Sequence, residues 1–193
     1  SVTATAGGTT STTPVVISIT VRPTVAITLA AGSTPTEGGI TTLSIAVNPA
    51  TGGAPIQTVT IAYGDGSSDD LGSVTGTVTV QHVYGDDGSY TPTVTALDTT
   101  GTSTTASTVI FVQPLLVSVS ASKSGNTATF TANVSPAGSA IASYAWNFGD
   151  GTSQTTSANS TSHTYVPGTY TVRVTARTST GHTSSGSASI AIP

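Results

Sequence analysis

Cysteine and methionine are absent from this 193-residue chain, and lysine and glutamate occur once each, at Lys123 and Glu37. Without cysteine there is no disulfide, no thiolate nucleophile and no cysteine-ligated metal. Charged residues make up 6% of the sequence and only four are cationic, so the clustered positive charge that grips a phosphate backbone is missing. Nucleic acid is excluded as a partner. A net charge of −4 is too dilute to define any other polyelectrolyte partner. No apolar run approaches the length of a membrane span, and no cationic leader precedes an apolar core. Membrane insertion is therefore not expected of this segment. With a single glutamate, a glycosidase carboxylate pair would need two aspartates, and no Gly-x-Ser-x-Gly elbow leads into a helix. No catalytic residue is nominated, and the segment is not expected to be an enzyme. Helical spacing of apolar residues is missing too, because Gly or Pro interrupts most candidate windows.

What fills the chain is alternation. Hydrophobic residues, 36% of the total, alternate with Thr and Ser. A strand with one buried face and one neutral hydroxyl face reads this way, and threonine's branched Cβ suits the pleated surface. The pattern is also written twice. Tyr63-Gly64-Asp65-Gly66 returns as Phe148-Gly149-Asp150-Gly151. His82-x-Tyr84 with Gly88-x-Tyr90 and Val94-x-Ala96 returns as His163-x-Tyr165 with Gly168-x-Tyr170, Val174 and Ala176. Aligned blocks at matching separation mark a duplicated structural unit.

Each Val-Thr-Ala tripeptide (Val2, Val94 and Val174 lead them) is followed by a Gly/Thr/Ser stretch, a short apolar strand and a proline at 23, 114 or 193. Residues 1–23 are thus expected to be the terminal hairpin of a preceding, incomplete repeat, with strands around Val2–Ala4 and Val15–Val21. The missing front would be completed upstream or by a neighbouring subunit. Residues 24–114 and 115–193 are expected to be complete units. Strands are expected near 24–30, 40–47, 56–63, 74–83, 90–97 and 105–112 in the first unit. In the second they are expected near 115–121, 127–134, 141–148, 160–165, 169–177 and 185–192. Short strands spaced by Gly, Pro, Asn and Asp turns predict an all-β fold of antiparallel sandwiches. The prolines leave no donor and a fixed φ at each joint, so the units are expected to form a semi-rigid rod.

Along Tyr170, Val172, Val174 and Ala176 one face is apolar, while Arg173 and Arg177 lie on the other; a one-residue slip would bury both arginines. Tyr144, Trp146 and Phe148 share a face in the same way. The second core is expected to centre on Trp146, stacked across the sandwich from the strand holding Tyr170 and Val172. Ile61 stands where Trp146 does, so the first core is expected to be aliphatic.

Trp146-Asn147-Phe148-Gly149-Asp150-Gly151, His163-Thr164-Tyr165 and Gly168-Thr169-Tyr170-Thr171-Val172-Arg173-Val174 together resemble a PKD domain, a family of immunoglobulin-like β-sandwiches. Residues 24–114 resemble it with departures, Ile61 in place of the tryptophan and Asp86-Asp87 enlarging the turn before Tyr90. Members occur as tandem spacers of surface proteins or as accessory modules of secreted enzymes. The resemblance implies a structural or adhesive role rather than a reaction.

The carboxylates are the first place to look for chemistry. Asp65, Asp69 and Asp70 offer alternating oxygens somewhat like a calcium loop, but its sixth-position glycine and twelfth-position glutamate are absent. The stronger reading is that Asp65 caps its own turn, as Asp150 does, and that Asp86-Asp87-Gly88 is a hairpin turn. No other cofactor is expected. His82 and His163 recur at equivalent positions, so they read as structural residues bonded to the Gly-Asp-Gly turns. His182 sits in a Gly/Ser/Thr loop with no second ligand near it in sequence. Asn133-Val134-Ser135 and Asn159-Ser160-Thr161 are glycosylation sequons, Asn159 lying in the more loop-like setting. Outward Thr and Ser rows could equally carry O-linked sugar.

The expectation is a non-catalytic structural segment of an extracellular surface protein, a stalk, fibre, sheath or surface-layer component. Its partners would be neighbouring repeats or subunits. The alternatives are an adhesive or polysaccharide-binding accessory module of a secreted enzyme, and a virion surface domain. Exposed aromatics would favour sugar binding, and the aromatics here mostly fall at core-phase positions.

Overall fold

A computed structural model describes residues 2–6, 9–13 and 20–193. Every regular element in it is a strand. The first two, β1 (Val2–Ala6) and β2 (Thr9–Thr13), pair as an antiparallel hairpin with Ala4 opposite Ser11. The strand expected around Val15–Val21 falls largely outside the described residues, and 20–23 are not strand.

Nine strands build the first sandwich: β3 (Thr24–Leu29), β4 (Ile40–Asn48), β5 (Ile56–Ala62), β6 (Ser68–Gly72), β7 (Gly76–Val83), β8 (Gly88–Tyr90), β9 (Thr93–Asp98), β10 (Ser103–Ser107) and β11 (Ile110–Val112). One sheet runs β3-β4-β7 and the facing sheet β10-β9-β5-β6, with β8 and β11 pairing as a short extension. The second sandwich has seven: β12 (Leu116–Ser124), β13 (Thr127–Ser135), β14 (Ile141–Asn147), β15 (Ser153–Thr156), β16 (Ser160–Thr164), β17 (Gly168–Thr178) and β18 (Thr183–Ile192). Its sheets run β12-β13-β16 and β15-β14-β17-β18. The two units therefore share one topology, and all pairings within these sheets are antiparallel.

Three departures from the expected strands have physical causes. The long strands β17 and β18 correspond in the first unit to two broken strands, β8 with β9 and β10 with β11. Pro92 takes the place of Val172, and a proline has no N–H to give the ladder. The short edge strands β6 and β15, polar and following directly on the Gly-Asp-Gly turns, carry no apolar alternation that would reveal them. β7 begins only at Gly76, after a turn at 73–75.

Ile61 pairs with Val94 as Trp146 pairs with Val174, so the two residues do occupy equivalent positions. Trp146, 1% exposed, sits in the core as expected. The expected stacking across the sandwich is corrected, however. Tyr170 and Val172 lie on β17, the immediate neighbour of β14 in the same sheet. The residue facing Trp146 from the other sheet is Phe130 on β13, its ring centroid 6.4 Å away. Phe130 also meets Phe148 and Tyr165 at 6.2 and 6.3 Å, so four aromatics close this core. The indole N–H is satisfied by Thr156 Oγ1 at 3.1 Å. The first core, expected to be aliphatic, is so at its centre through Leu43, Ile45, Val59 and Ile61, but Tyr63 and Tyr84 are also fully buried at one end.

Candidate functional site

At one end of each sandwich the repeated motif folds into the same clasp. The strand carrying Tyr63 or Phe148 ends in a Gly-Asp-Gly turn whose first glycine has φ near +85°, at +87° for Gly64 and +82° for Gly149. A Cβ there would meet the backbone of Thr91 or Thr171 as well, so glycine is required twice over. The turn aims its carboxylate at the histidine on the opposite sheet: Asp65 Oδ2 lies 2.6 Å from His82 Nε2, and Asp150 Oδ2 lies 2.7 Å from His163 Nε2. The other oxygen caps the turn, accepting from Ser67 N and Oγ at 2.9 and 2.6 Å, or from Thr152 N and Oγ1 at 3.0 and 2.6 Å.

Each histidine ring lies flat on the aromatic before the turn, 3.9 Å from Tyr63 and 4.1 Å from Phe148 by centroid. Tyr84 and Tyr165 stand edge-on to it, and their hydroxyls donate to the carbonyls of Tyr63 and Phe148, both at 3.1 Å. The outcome is a polar staple between the two sheets. Histidine, aspartate and glycine at fixed spacing are what the staple needs, and this structural role matches the reading of His82 and His163 from sequence.

The electrostatics follow from those bonds. Burial alone would raise the Asp65 carboxyl, but hydrogen bonds from Ser67 and His82 outweigh it and hold it at about 2. Thr152 first, then His163, hold Asp150 well below the usual carboxylate range. Burial, with a nearby aspartate and tyrosine adding to it, pushes the Tyr84 and Tyr165 hydroxyls up to about 12. Both oxygens of each aspartate are committed, one to its own turn and the other to the histidine.

The carboxylates considered for calcium are each engaged separately. Asp65 belongs to the clasp. Asp69 Oδ2 accepts from Tyr63 Oη at 2.7 Å, and Asp70 Oδ1 accepts from Thr58 Oγ1 at 2.6 Å and Gly72 N at 2.8 Å. Asp69 and Asp70 are consecutive on a strand and project to opposite faces. Among the described residues no three His, Cys, Asp or Glu side chains converge on one point. Asn133 lies within β13 with Nδ2 donating to Ser120 Oγ at 3.2 Å; Asn159 lies just ahead of β16, exposed, with Nδ2 donating to the Ala132 carbonyl at 3.2 Å.

The second assembly is the joint between the sandwiches. It was not legible as a site, because its residues lie far apart in sequence. The turn joining β3 to β4, residues 30–39, is ten residues long, whereas its counterpart in the second unit is only Gly125-Asn126. This longer loop is tied down on its own unit. Glu37 N donates to the Gln113 carbonyl at 2.8 Å, Gln113 N to the Pro35 carbonyl at 3.0 Å, and Gly38 N to the carbonyl of the clasp residue Tyr84 at 2.8 Å.

From there the loop reaches the next unit. Glu37 Oε2 accepts from Leu115 N at 3.2 Å, while its Oε1 lies 3.0 Å from His182 Nε2. Thr180 Oγ1, in the turn between β17 and β18, donates to the Gly38 carbonyl. Gly38 is buried at φ +63°, and a Cβ on it would run into His182. Leu115, the first residue after the joint proline, is 2% exposed. A cleft of about 140 Å³ remains between the units, lined by Thr36, Ile40, Leu115, Ala140 and Thr178 among others. His182, which sequence left without a partner, is thus paired with the chain's only glutamate.

Comparison with known proteins agrees with the duplication. The family model described as PKD domain matches twice, over residues 20–112 and 113–192. No curated protein matches the chain. Among solved structures, the PKD1 domain of the Vibrio cholerae metalloprotease PrtV is 22% identical. It aligns over 40% of this chain and 95% of its own length, with a TM-score of 0.37. The PKD1 domain of Vibrio anguillarum Epp is 25% identical over 42% of this chain and 94% of its own, with a TM-score of 0.36. A two-domain fibronectin type III segment of chicken tenascin is 17% identical over 86% of this chain and 97% of its own, with a TM-score of 0.39. Among the described residues no helix is long and apolar enough to cross a membrane.

Proposed function

The chain belongs to the PKD domain family, and on that footing we propose that it is a non-catalytic spacer of an extracellular surface protein, with neighbouring repeats as its partners. The observation that carries this reading is the joint. Two sandwiches at 24–114 and 115–193 meet with no loose linker, and a loop of the first is bonded to its own sheet ends while bracing the second. Flexible linkers of several residues let domains reorient freely. Here Gln113 and Leu115, on either side of the proline, are both held by residues 35–37: Gln113 through backbone hydrogen bonds to Pro35 and Glu37, and Leu115 through its N–H to the Glu37 carboxylate. A segment braced in this way transmits length and direction, which is what a stalk or fibre requires.

The test is the relative tumbling of the two sandwiches by NMR relaxation, with small-angle scattering for the overall dimensions. The spacer reading expects one shared correlation time and one extended shape. Gly38→Ala should decouple the units while leaving each folded, since it forces a Cβ against His182. Independent tumbling in the unaltered chain would end the reading.

One observation favours a second reading, a polysaccharide-binding module. Phe111, on β11, is 71% exposed, the one large aromatic among the described residues to face solvent so openly, and its counterpart in the second unit is Ala191. Sugar rings stack on aromatic faces of this kind. Glycan-array binding lost in Phe111→Ala would support that reading over the spacer.

A further inference from the structure

The formal net charge of −4 conceals an uneven division along the chain. Seven of the eight carboxylates, all but Asp150, fall within 24–114, which holds no lysine or arginine, so the first sandwich carries −7. Residues 115–193 set Lys123, Arg173 and Arg177 against Asp150 alone, a net +2; Arg22, ahead of both units, accounts for the remaining +1. Among the described residues no lysine or arginine is paired with a carboxylate, since every ion pair uses a histidine. Each surplus therefore faces solvent uncompensated.

The positive surplus has a flat platform. Arg173 and Arg177 project from the outward face of β17, four residues and hence about 13 Å apart along the strand. Their neighbours across the ladders are Asn147 and Ser143 on one side and Ser187 and Thr183 on the other. These are small and neutral, and no strand of this sheet carries a carboxylate. In the first unit Thr93 and Leu97 hold the places of the two arginines, and Asp70 holds the place of Thr155. Equivalent sheets thus bear opposite charge on equivalent outward faces. The acidic side is reinforced at its clasp end. Asp65 and Asp69 both bond into the Tyr63–His82 stack, and the exposed Asp86-Asp87 turn begins four residues after His82. Burial first, then the charges of Asp86, Asp65 and Asp87 around it, raise the Tyr90 hydroxyl above its ordinary value.

We propose that the Arg173/Arg177 face is a docking surface for a second copy of this chain, and that it receives the acidic first sandwich of that copy. Two-fold, antiparallel pairing forms the contact twice, first unit on second and second on first. In-register parallel pairing would set −7 against −7 and is rejected by the same charges. A single exposed ion pair contributes little, so the association is weak, salt-sensitive and dependent on several charges acting together. It goes beyond the spacer reading, which concerns the joint within one chain, by giving such spacers a lateral partner.

Sedimentation of the 193-residue chain at millimolar concentration tests it. The unaltered chain should dimerise at about 20 mM salt and lose at least about tenfold in affinity by about 500 mM, as screening shortens the reach of the charges. Arg173→Glu with Arg177→Glu should be monomeric, and so should Asp86→Lys with Asp87→Lys. All four positions are exposed, and circular dichroism checks that each variant folds. An equal mixture of the two variants should dimerise again, because each reversed surface then meets its complement. The proposal is overturned if the unaltered chain stays monomeric at low salt, if dimers form that ignore salt and the arginine variant, or if the mixture stays monomeric. A monomer that captures polygalacturonate through the two arginines would instead assign the face to an anionic polysaccharide. None of these outcomes bears on the stiffness of the joint, so the spacer reading stands or falls separately.

Discussion

The two sandwiches carry the same clasp on different interiors. In the second, Trp146, Phe130, Phe148 and Tyr165 form a closed aromatic core. In the first, Ile61 replaces the tryptophan, and aromatics survive in the core only at the clasp end, as Tyr63 and Tyr84. The first unit also has the long 30–39 loop and the break at Pro92, whereas the second has a two-residue turn and unbroken strands. What is kept between the copies is the staple that joins the sheets. What varies is the filling and the edges. The clasp therefore specifies the register of the fold, while core volume and loop length adapt each copy to its place in the row.

The sharpest test of this contrast lies in the cores. Trp146→Ala removes the largest buried side chain and should cost about 3–5 kcal/mol; Ile61→Ala spans about 2–5 kcal/mol, centred lower. Denaturant melts read separately for each unit would show whether the tryptophan makes the second core the more demanding one. Equal losses at the two sites would mean that the aromatic filling adds no specificity beyond volume.

The clasps should respond to acid alike, which bears on the shared half of the comparison. Asp65 is held at about 2 against an ordinary value of 3.8, and Asp150 is shifted in the same direction. A carboxyl lowered on folding contributes stability above its unfolded value and loses that contribution as pH falls through the folded one. Both units should therefore keep this contribution at neutral pH and shed it between about pH 4 and pH 2. Asp65→Asn and Asp150→Asn should each flatten the acid limb of the stability profile for their own unit. If only one unit responds, the clasps are alike in geometry and not in energetics.

Much of this was readable from the chain. The duplicated Gly-Asp-Gly, His-x-Tyr and Gly-x-Tyr blocks predicted two antiparallel sandwiches and tied the histidines to the turns, because backbone turns and sheet staples leave residue-type signatures at fixed spacing. Alternation placed Tyr144, Trp146 and Phe148 in the core. Three things were not readable. Cross-sheet partners depend on how two layers stack, so Phe130 was missed as the residue opposite Trp146. Short polar edge strands such as β6 and β15 have no buried face to write a period into the sequence. The joint unites Glu37 with His182 across most of the chain, and nothing local in either residue announces the other. The unequal repeat lengths were the available clue, since much of the surplus of the first unit lies in residues 30–39.

The smallest effect expected is that of calcium, and it bears on the one cluster the second unit lacks. Asp69 and Asp70 follow Asp65 in the first unit, where Gln154 and Thr155 stand after Asp150 in the second, with Ile61 facing Asp69 across the ladder as Trp146 faces Gln154. If the extra carboxylates formed a cation site, calcium would stabilise the first unit by RT ln(1 + [L]/Kd) and leave the second unchanged. Their hydrogen bonds argue otherwise. One oxygen of Asp69 serves the buried Tyr63 hydroxyl, Asp70 ties Thr58 to the Gly72 turn, and both oxygens of Asp65 serve the clasp. Gathering the three around one ion would require breaking the Asp65–His82 staple, and strand alternation keeps Asp69 and Asp70 on opposite faces. Melting of the first unit should thus be unaffected by calcium beyond ionic strength, matching the second. A saturable rise confined to the first unit and lost in Asp69→Ala would reassign these aspartates from turn chemistry to metal binding.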